Sequence, residues 1–149
     1  MSEQDKRELN KNLTTAKRIK KTIRIRRHFD LAKNLAFQAS YGKIRHGAVL
    51  VKGGSTINGA FNKEKYSSFG SRFRHKECGH ATVHAEIGCV LGLARDKTQG
   101  TTLYVIRINR KGEFRLSKPC CMCHEVLKHV GVKKVIYSTS DNGAETYRL

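Results

Sequence analysis

Ser117-Lys118-Pro119-Cys120-Cys121-Met122-Cys123-His124, read together with the upstream triplet His84-Ala85-Glu86, decides how this chain folds. One imidazole at His84 and two thiolates at Cys120 and Cys123 make a three-ligand zinc set with an open fourth position. Glu86, two residues from the histidine, is placed to move protons at whatever fills that position. Pro119 lies 33 positions beyond Glu86, so two distant segments must converge. A closed structural Zn2+ is the alternative reading, and it needs a fourth protein ligand such as Cys121 or His124.

Outward from these ligands, the pattern is of alternating helices and strands. Thr82 can cap a helix from about Val83 to Arg95, with Ile87, Val90, Leu91 and Ala94 inward. Pro119 opens another helix at its favoured first position; Val126, Leu127 and Val130 face the core and Gly131 ends it. His84 then sits in the first turn of one helix, and Cys120 and Cys123 at the start of the next. Thr101–Ile108 is a β-branched strand, with a turn at Asn109–Gly112 and a ribbon resuming at Phe114. Val132–Tyr137 is a further strand, and Glu145–Leu149 pairs back after the turn at Asp141-Asn142-Gly143. Upstream, Gly47–Val51 and Thr56–Phe61 flank Gly53-Gly54 as a hairpin. Leu31, Leu35 and Ala39 mark the apolar face of a helix from Asp30 to Tyr41 that Gly42 stops. Residues 63–80 read as a polar loop. Cys89 lies among apolar neighbours and reads as a buried, inert thiol.

With 149 residues, the chain is read as one domain, residues 28–149, carrying a basic arm at residues 1–27, extended or partly helical. No apolar run approaches the ~20 residues of a membrane helix. The charged start lacks a signal core, and five cysteines read as ligands and buried thiols, so an intracellular protein with no membrane partner is expected. Thirty Lys and Arg against twelve Asp and Glu give a net charge of +18. Such a field attracts polyanions. Within the arm, Lys17, Arg18, Lys20, Lys21, Arg24, Arg26 and Arg27 are the candidate nucleic-acid contacts, to DNA or RNA.

On His84-Ala85-Glu86, on Pro119-Cys120 with Cys123, and on the order of elements around them, residues 28–149 resemble the cytidine deaminase-like superfamily, with its cytidine and deoxycytidylate deaminases. The resemblance implies a three-layer α-β-α fold: a mixed five-stranded sheet with helices on both faces. It implies hydrolytic deamination of cytosine to uracil, or loss of the 6-amine in the adenosine branch. Carried over by position, His84, Cys120 and Cys123 bind zinc and Glu86 is the acid and base. Asn62 would contact the sugar, the backbone of Ala85 and Lys118 would hold the base oxygen and exocyclic amine, and Tyr137 would contact the base.

The chain departs from the family pattern at Lys118, where Ser, Thr, Glu or Phe is more usual before the proline. It also has too few residues before its last segment for a connecting helix. An antiparallel final strand follows, as in branches acting on free nucleosides. His75, Cys78 and His80 suggest either a second zinc or a substrate loop. Three functions are therefore weighed: a deaminase of cytosine within nucleic acid, a deaminase of free nucleotides such as dCMP, and a nucleic-acid or particle-binding protein in which catalysis is lost. The expected partners are nucleic acid and a nucleotide substrate, with a homo-oligomer left open.

Overall fold

The computed structural model describes residues 1–39, 44–74 and 82–149, and the side chains of all of these except 19–24. The expected stop at Gly42 and the cluster His75, Cys78 and His80 lie outside the described residues.

Two hydrophobic clusters lie on opposite faces of one mixed sheet. Its strands are β1 (Arg45–Lys52), β2 (Ser55–Phe61), β5 (Thr102–Ile108), β7 (Lys134–Ser138) and β8 (Ala144–Arg148), in the order β2-β1-β5-β7-β8. The pairs β1–β2, β1–β5 and β7–β8 are antiparallel, and β5–β7 is parallel. A two-residue strand, β6 (Phe114–Arg115), folds back on the end of β5. The short strands β3 (Lys63–Tyr66) and β4 (Thr82–Val83) pair apart from the main sheet. Alternation along each strand decides which side chains meet which helices. Ala48, Leu50, Leu103, Val105, Val135 and Tyr137 share one cluster with helices α3 (Ala85–Val90) and α5 (Cys121–Val130). Val49, Val51, Tyr104, Ile106, Ile108 and Ile136 share the other with helix α1 (Glu3–Phe37). Short helices α2 (Ser68–Ser71) and α4 (Arg95–Thr98) complete the described elements.

Helix α1 differs from expectation. In place of an arm followed by a separate helix from Asp30, one helix of 35 residues runs through both. Ser2 caps it and Asp5 completes a capping box. Residues 3–37 contain neither glycine nor proline, so nothing interrupts propagation outward from the packed end. Its buried stripe is met in part: Ala39 is buried and Leu35 packs against the sheet as expected, while Leu31 is 40% exposed and Phe29, Ala32 and Ala36 lie inward. The cause is a close approach. A Cβ on Gly47 would collide with the Ala32 carbonyl oxygen, so alanines pack where the helix backbone meets β1.

Three further boundaries shift. The helix expected over 83–95 breaks into α3 and α4 because Gly92 takes a left-handed φ of 76°, which leaves Leu91 exposed and Ala94 as the cap of α4. Pro119 precedes the N-cap residue Cys120, two positions before the first helical residue, the place expected for it, and Gly131 closes α5 in the left-handed region as read. The polar stretch after residue 62 holds β3 and α2, the latter capped by Ser67.

Candidate metal centre and active site

Both halves of the ligand set sit where a chain enters a helix. β4 delivers extended backbone to His84, the N-cap of α3, and Cys120 is the N-cap of α5. Neither His84 nor Cys120 spends its side chain on capping its helix, and two or three residues further on Glu86 and Cys123 turn to the interior. Glu86 and Cys123 accordingly face the same buried space, at 5% and 0% exposure. His84 Nδ1 lies 3.2 Å from Cys123 Sγ and 3.7 Å from Cys120 Sγ. Ligand–ligand spacings across a tetrahedral zinc with ordinary Zn–S and Zn–N bonds are about 3.6 Å. The three donors therefore fit the ion, and they are the one such group of His, Cys, Asp or Glu found among the described residues.

The electrostatics of the pair suit a metal ligand set. A hydrogen bond from Cys123 draws the Cys120 thiol down to about 4, and the same bond, with burial, raises Cys123. One thiolate is thus preformed. Burial raises the Glu86 carboxyl above its ordinary value, with Cys123 in hydrogen-bond contact. Cys89 is fully buried and burial pushes its thiol up, which leaves it unreactive.

The other expected residues divide. Ala85 is fully buried between His84 and Glu86, and Lys118 is exposed with its ammonium 5.7 Å from the centre of the Tyr147 ring. Asn62 stands at the end of β2, where its Oδ1 accepts from the His46 N–H at 2.8 Å and its Nδ2 donates to the Ile44 carbonyl at 3.0 Å. A second lone pair and a second amide hydrogen are left for a ligand. The Tyr137 ring is buried and its hydroxyl donates to Glu145 at 2.6 Å, which raises its pKa. Lys17, Arg18, Arg26 and Arg27 are exposed on α1, as expected of a solvated basic face. Lys20, Lys21 and Arg24 share that helix, their side chains outside the described set. The structure does not bring Lys17, Arg18, Arg26 or Arg27 to the metal ligands, because α1 packs on the opposite face of the sheet.

Sequence reasoning missed His46, Arg107 and Tyr147. His46 shares the strand parity of Ala48 and Leu50, so it faces the metal side; burial, Arg107 and then His84 hold its pKa down to about 4. Tyr147 stacks on His124 at 5.8 Å, and burial, followed by Glu86, raises its hydroxyl to about 12. Only the strand pairing reveals these neighbours, although the period-2 alternation of β1 already put His46 on the side of Ala48.

The comparisons agree with this geometry. The family described as the cytidine and deoxycytidylate deaminase zinc-binding region matches residues 23–139, and the chain belongs to that family. None of the curated proteins compared matches it. Among solved structures, the apo dCMP deaminase of cyanophage S-TIM5 superposes with a TM-score of 0.56 at 22% identity, covering 77% of this chain and 82% of that one. The same phage enzyme in complex with dCMP and dUMP gives 0.50 at 21% identity, with 82% of each chain covered. Acinetobacter baumannii RibD is matched over 28% of its length and 78% of this chain, at 21% identity and a TM-score of 0.48. At its identity the likeness to the phage enzyme shows the fold alone: a mixed α/β architecture of the deaminase type. Membership, with His84, Cys120 and Cys123 in place, makes zinc the metal of the site.

Proposed function

We propose that this protein is a zinc-dependent hydrolytic deaminase that converts the cytosine of a nucleotide to uracil, consuming water and releasing ammonia. The observation that carries the reading is the convergence of His84, Cys120 and Cys123 beside a buried carboxyl at Glu86. Zinc held by the three ligands supplies Lewis acidity that lowers the pKa of a coordinated water toward about 7. Glu86 takes one proton from the attacking water and gives it to the ring nitrogen, then takes the proton of the new hydroxyl and gives it to the amine, which leaves as ammonia as the carbonyl forms. Burial supports this role, because a carboxyl whose pKa is raised accepts and returns a proton more evenly near neutrality. The Ala85 N–H and the Lys118 carbonyl hold the base oxygen and exocyclic amine, and Asn62 offers its remaining amide valences to the sugar. Deamination assayed on cytidine, dCMP, single-stranded DNA and RNA tests the reading, and ammonia from none of them would end it.

A second reading places the cytosine within nucleic acid, with α1 gripping phosphates. Seven basic residues between Thr14 and Arg27 favour it. The antiparallel pairing of β8 with β7 favours free nucleotides, and so does the position of α1 behind the sheet. We therefore assign the pocket to a nucleotide and α1 to a separate grip on polyanions.

A further inference from the structure

Beside the metal ligands, the sheet carries a row of basic side chains that the catalytic reading leaves unused. His46 on β1 pairs with Arg107 on β5, and Arg107 pairs in turn with Arg115 on β6. Residues directly opposite in paired strands share a face. On β5, Leu103 and Val105 belong to the cluster under α3 and α5, while Tyr104, Ile106 and Ile108 belong to the cluster under α1. Arg107 therefore points to the metal face. Phe114, one residue before Arg115, packs with Phe29 of α1 at 6.2 Å, which turns Arg115 to the metal face as well. His46 links the row to the site: it is paired with Arg107 and has the strand parity of Ala48 and Leu50, which pack in the cluster that holds Cys123 and the helices carrying the metal ligands.

The two arginines are held in place by one hydroxyl. Ser138, fully buried at the end of β7, accepts from the Arg107 backbone N–H at 3.1 Å and donates to the Arg115 carbonyl at 2.7 Å. Ser117 reinforces this point by donating to the Val105 carbonyl at 2.8 Å and accepting from the Ser138 N–H at 2.8 Å. The juxtaposition is thus built into the backbone. Neither guanidinium has a carboxylate partner among the described residues, where Lys6 with Glu3 is the ion pair found. Arg115 donates to the carbonyl of its neighbour Phe114. Both arginines are half-buried.

We infer that Arg107 and Arg115 form a phosphate subsite for the substrate, with His46 bridging it to the metal centre. A guanidinium fork matches the oxygens of a phosphate in a bidentate fashion, and two placed side by side suit one phosphate group better than an uncharged sugar. The inference rests on the proposed reaction and sharpens it to a substrate whose sugar carries phosphate, as a 5′-monoester or as an internucleotide diester.

Binding separates this inference from the reaction itself. Zinc-loaded wild type, Arg107→Gln, Arg115→Gln and Arg107→Lys are titrated calorimetrically with deoxyuridine, dUMP and a trinucleotide bearing a central deoxyuridine. Wild type is expected to bind one or both phosphorylated ligands at least about tenfold more tightly than deoxyuridine. Each glutamine variant is expected to lose most of that preference, and Arg107→Lys to recover part of it. Dependence confined to dUMP identifies the monoester, and dependence confined to the trinucleotide identifies the diester. Equal affinity of wild type for all three, or a preference untouched in both glutamine variants, overturns the subsite. Ammonia release from deoxycytidine and dCMP is measured separately, so a protein that binds dUMP through Arg107 without deaminating would refute the reaction and leave the subsite standing.

Discussion

His84 Nδ1 and Cys123 Sγ stand 3.2 Å apart across the gap between α3 and α5, although 39 residues separate them in the chain. That distance is shorter than van der Waals contact. Cys120 Sγ stands 3.7 Å from the same nitrogen, and both separations suit the edges of a zinc tetrahedron. The purified protein is expected to contain one zinc per chain by metal analysis, and Cys123→Ser or His84→Ala to lose most of it. Full zinc content in both variants would remove the ligand assignment.

Gly47 is where α1 comes nearest to the sheet, and a methyl group there would collide with the Ala32 carbonyl. Backbone cannot yield as a flexible side chain does. Gly47→Ala should destabilise the fold by at least about 2 kcal/mol in urea unfolding. A variant as stable as wild type would mean that α1 does not sit so close.

His46 titrates in an informative window. Burial lowers its pKa to about 4 in the folded protein, against 6.5 for the unfolded chain. The unfolded state therefore binds the extra proton first as pH falls. The contribution of His46 is complete above about pH 6.5 and is lost progressively down to about pH 4. Between pH 7 and pH 5, wild type should lose about 2 kcal/mol more than His46→Gln. Parallel loss in the two proteins, followed by denaturant titration at each pH, would contradict the buried, neutral state of this histidine.

Among the described side chains of α1, residues 3–18 are exposed and the packed ones begin at Ile25. Removing residues 1–18, with Lys17 and Arg18, should therefore leave the core folded while flattening the salt dependence of nucleic-acid binding. Every phosphate that α1 no longer neutralises lowers the log–log slope by about 0.7 to 0.9. An unchanged slope would move the polyanion grip to the core.

The two ligand segments and the strands of the main sheet were legible because each depends on local chemistry, while the pair β3–β4 was not. Ligand types at fixed spacing name the metal, and β-branched runs bounded by Gly53-Gly54 or Asp141-Asn142-Gly143 name the strands. The stripe of α1 was legible only at Leu35 and Ala39, since Ala32 and Ala36 look weaker than Leu31 until Gly47 is seen to admit the helix backbone. Gly92 read as an interior helical residue, yet its positive φ ends α3 early. The row His46, Arg107 and Arg115 depends on register between three strands, and a single sequence does not carry register. Tyr147 reaches the site through the pairing of Val135 with Tyr147, which is long-range information of the same kind.

The central claim concerns a carboxyl, Glu86, buried beside three zinc ligands that do not need it for binding. Ammonia release by zinc-loaded Glu86→Gln, compared with wild type on dCMP and cytidine with zinc content measured on the same samples, tests that claim most directly. The account predicts that the variant keeps its zinc and loses at least about a hundredfold in rate, the scale of a positioned proton carrier. A variant that keeps its zinc and deaminates as fast as wild type would contradict it.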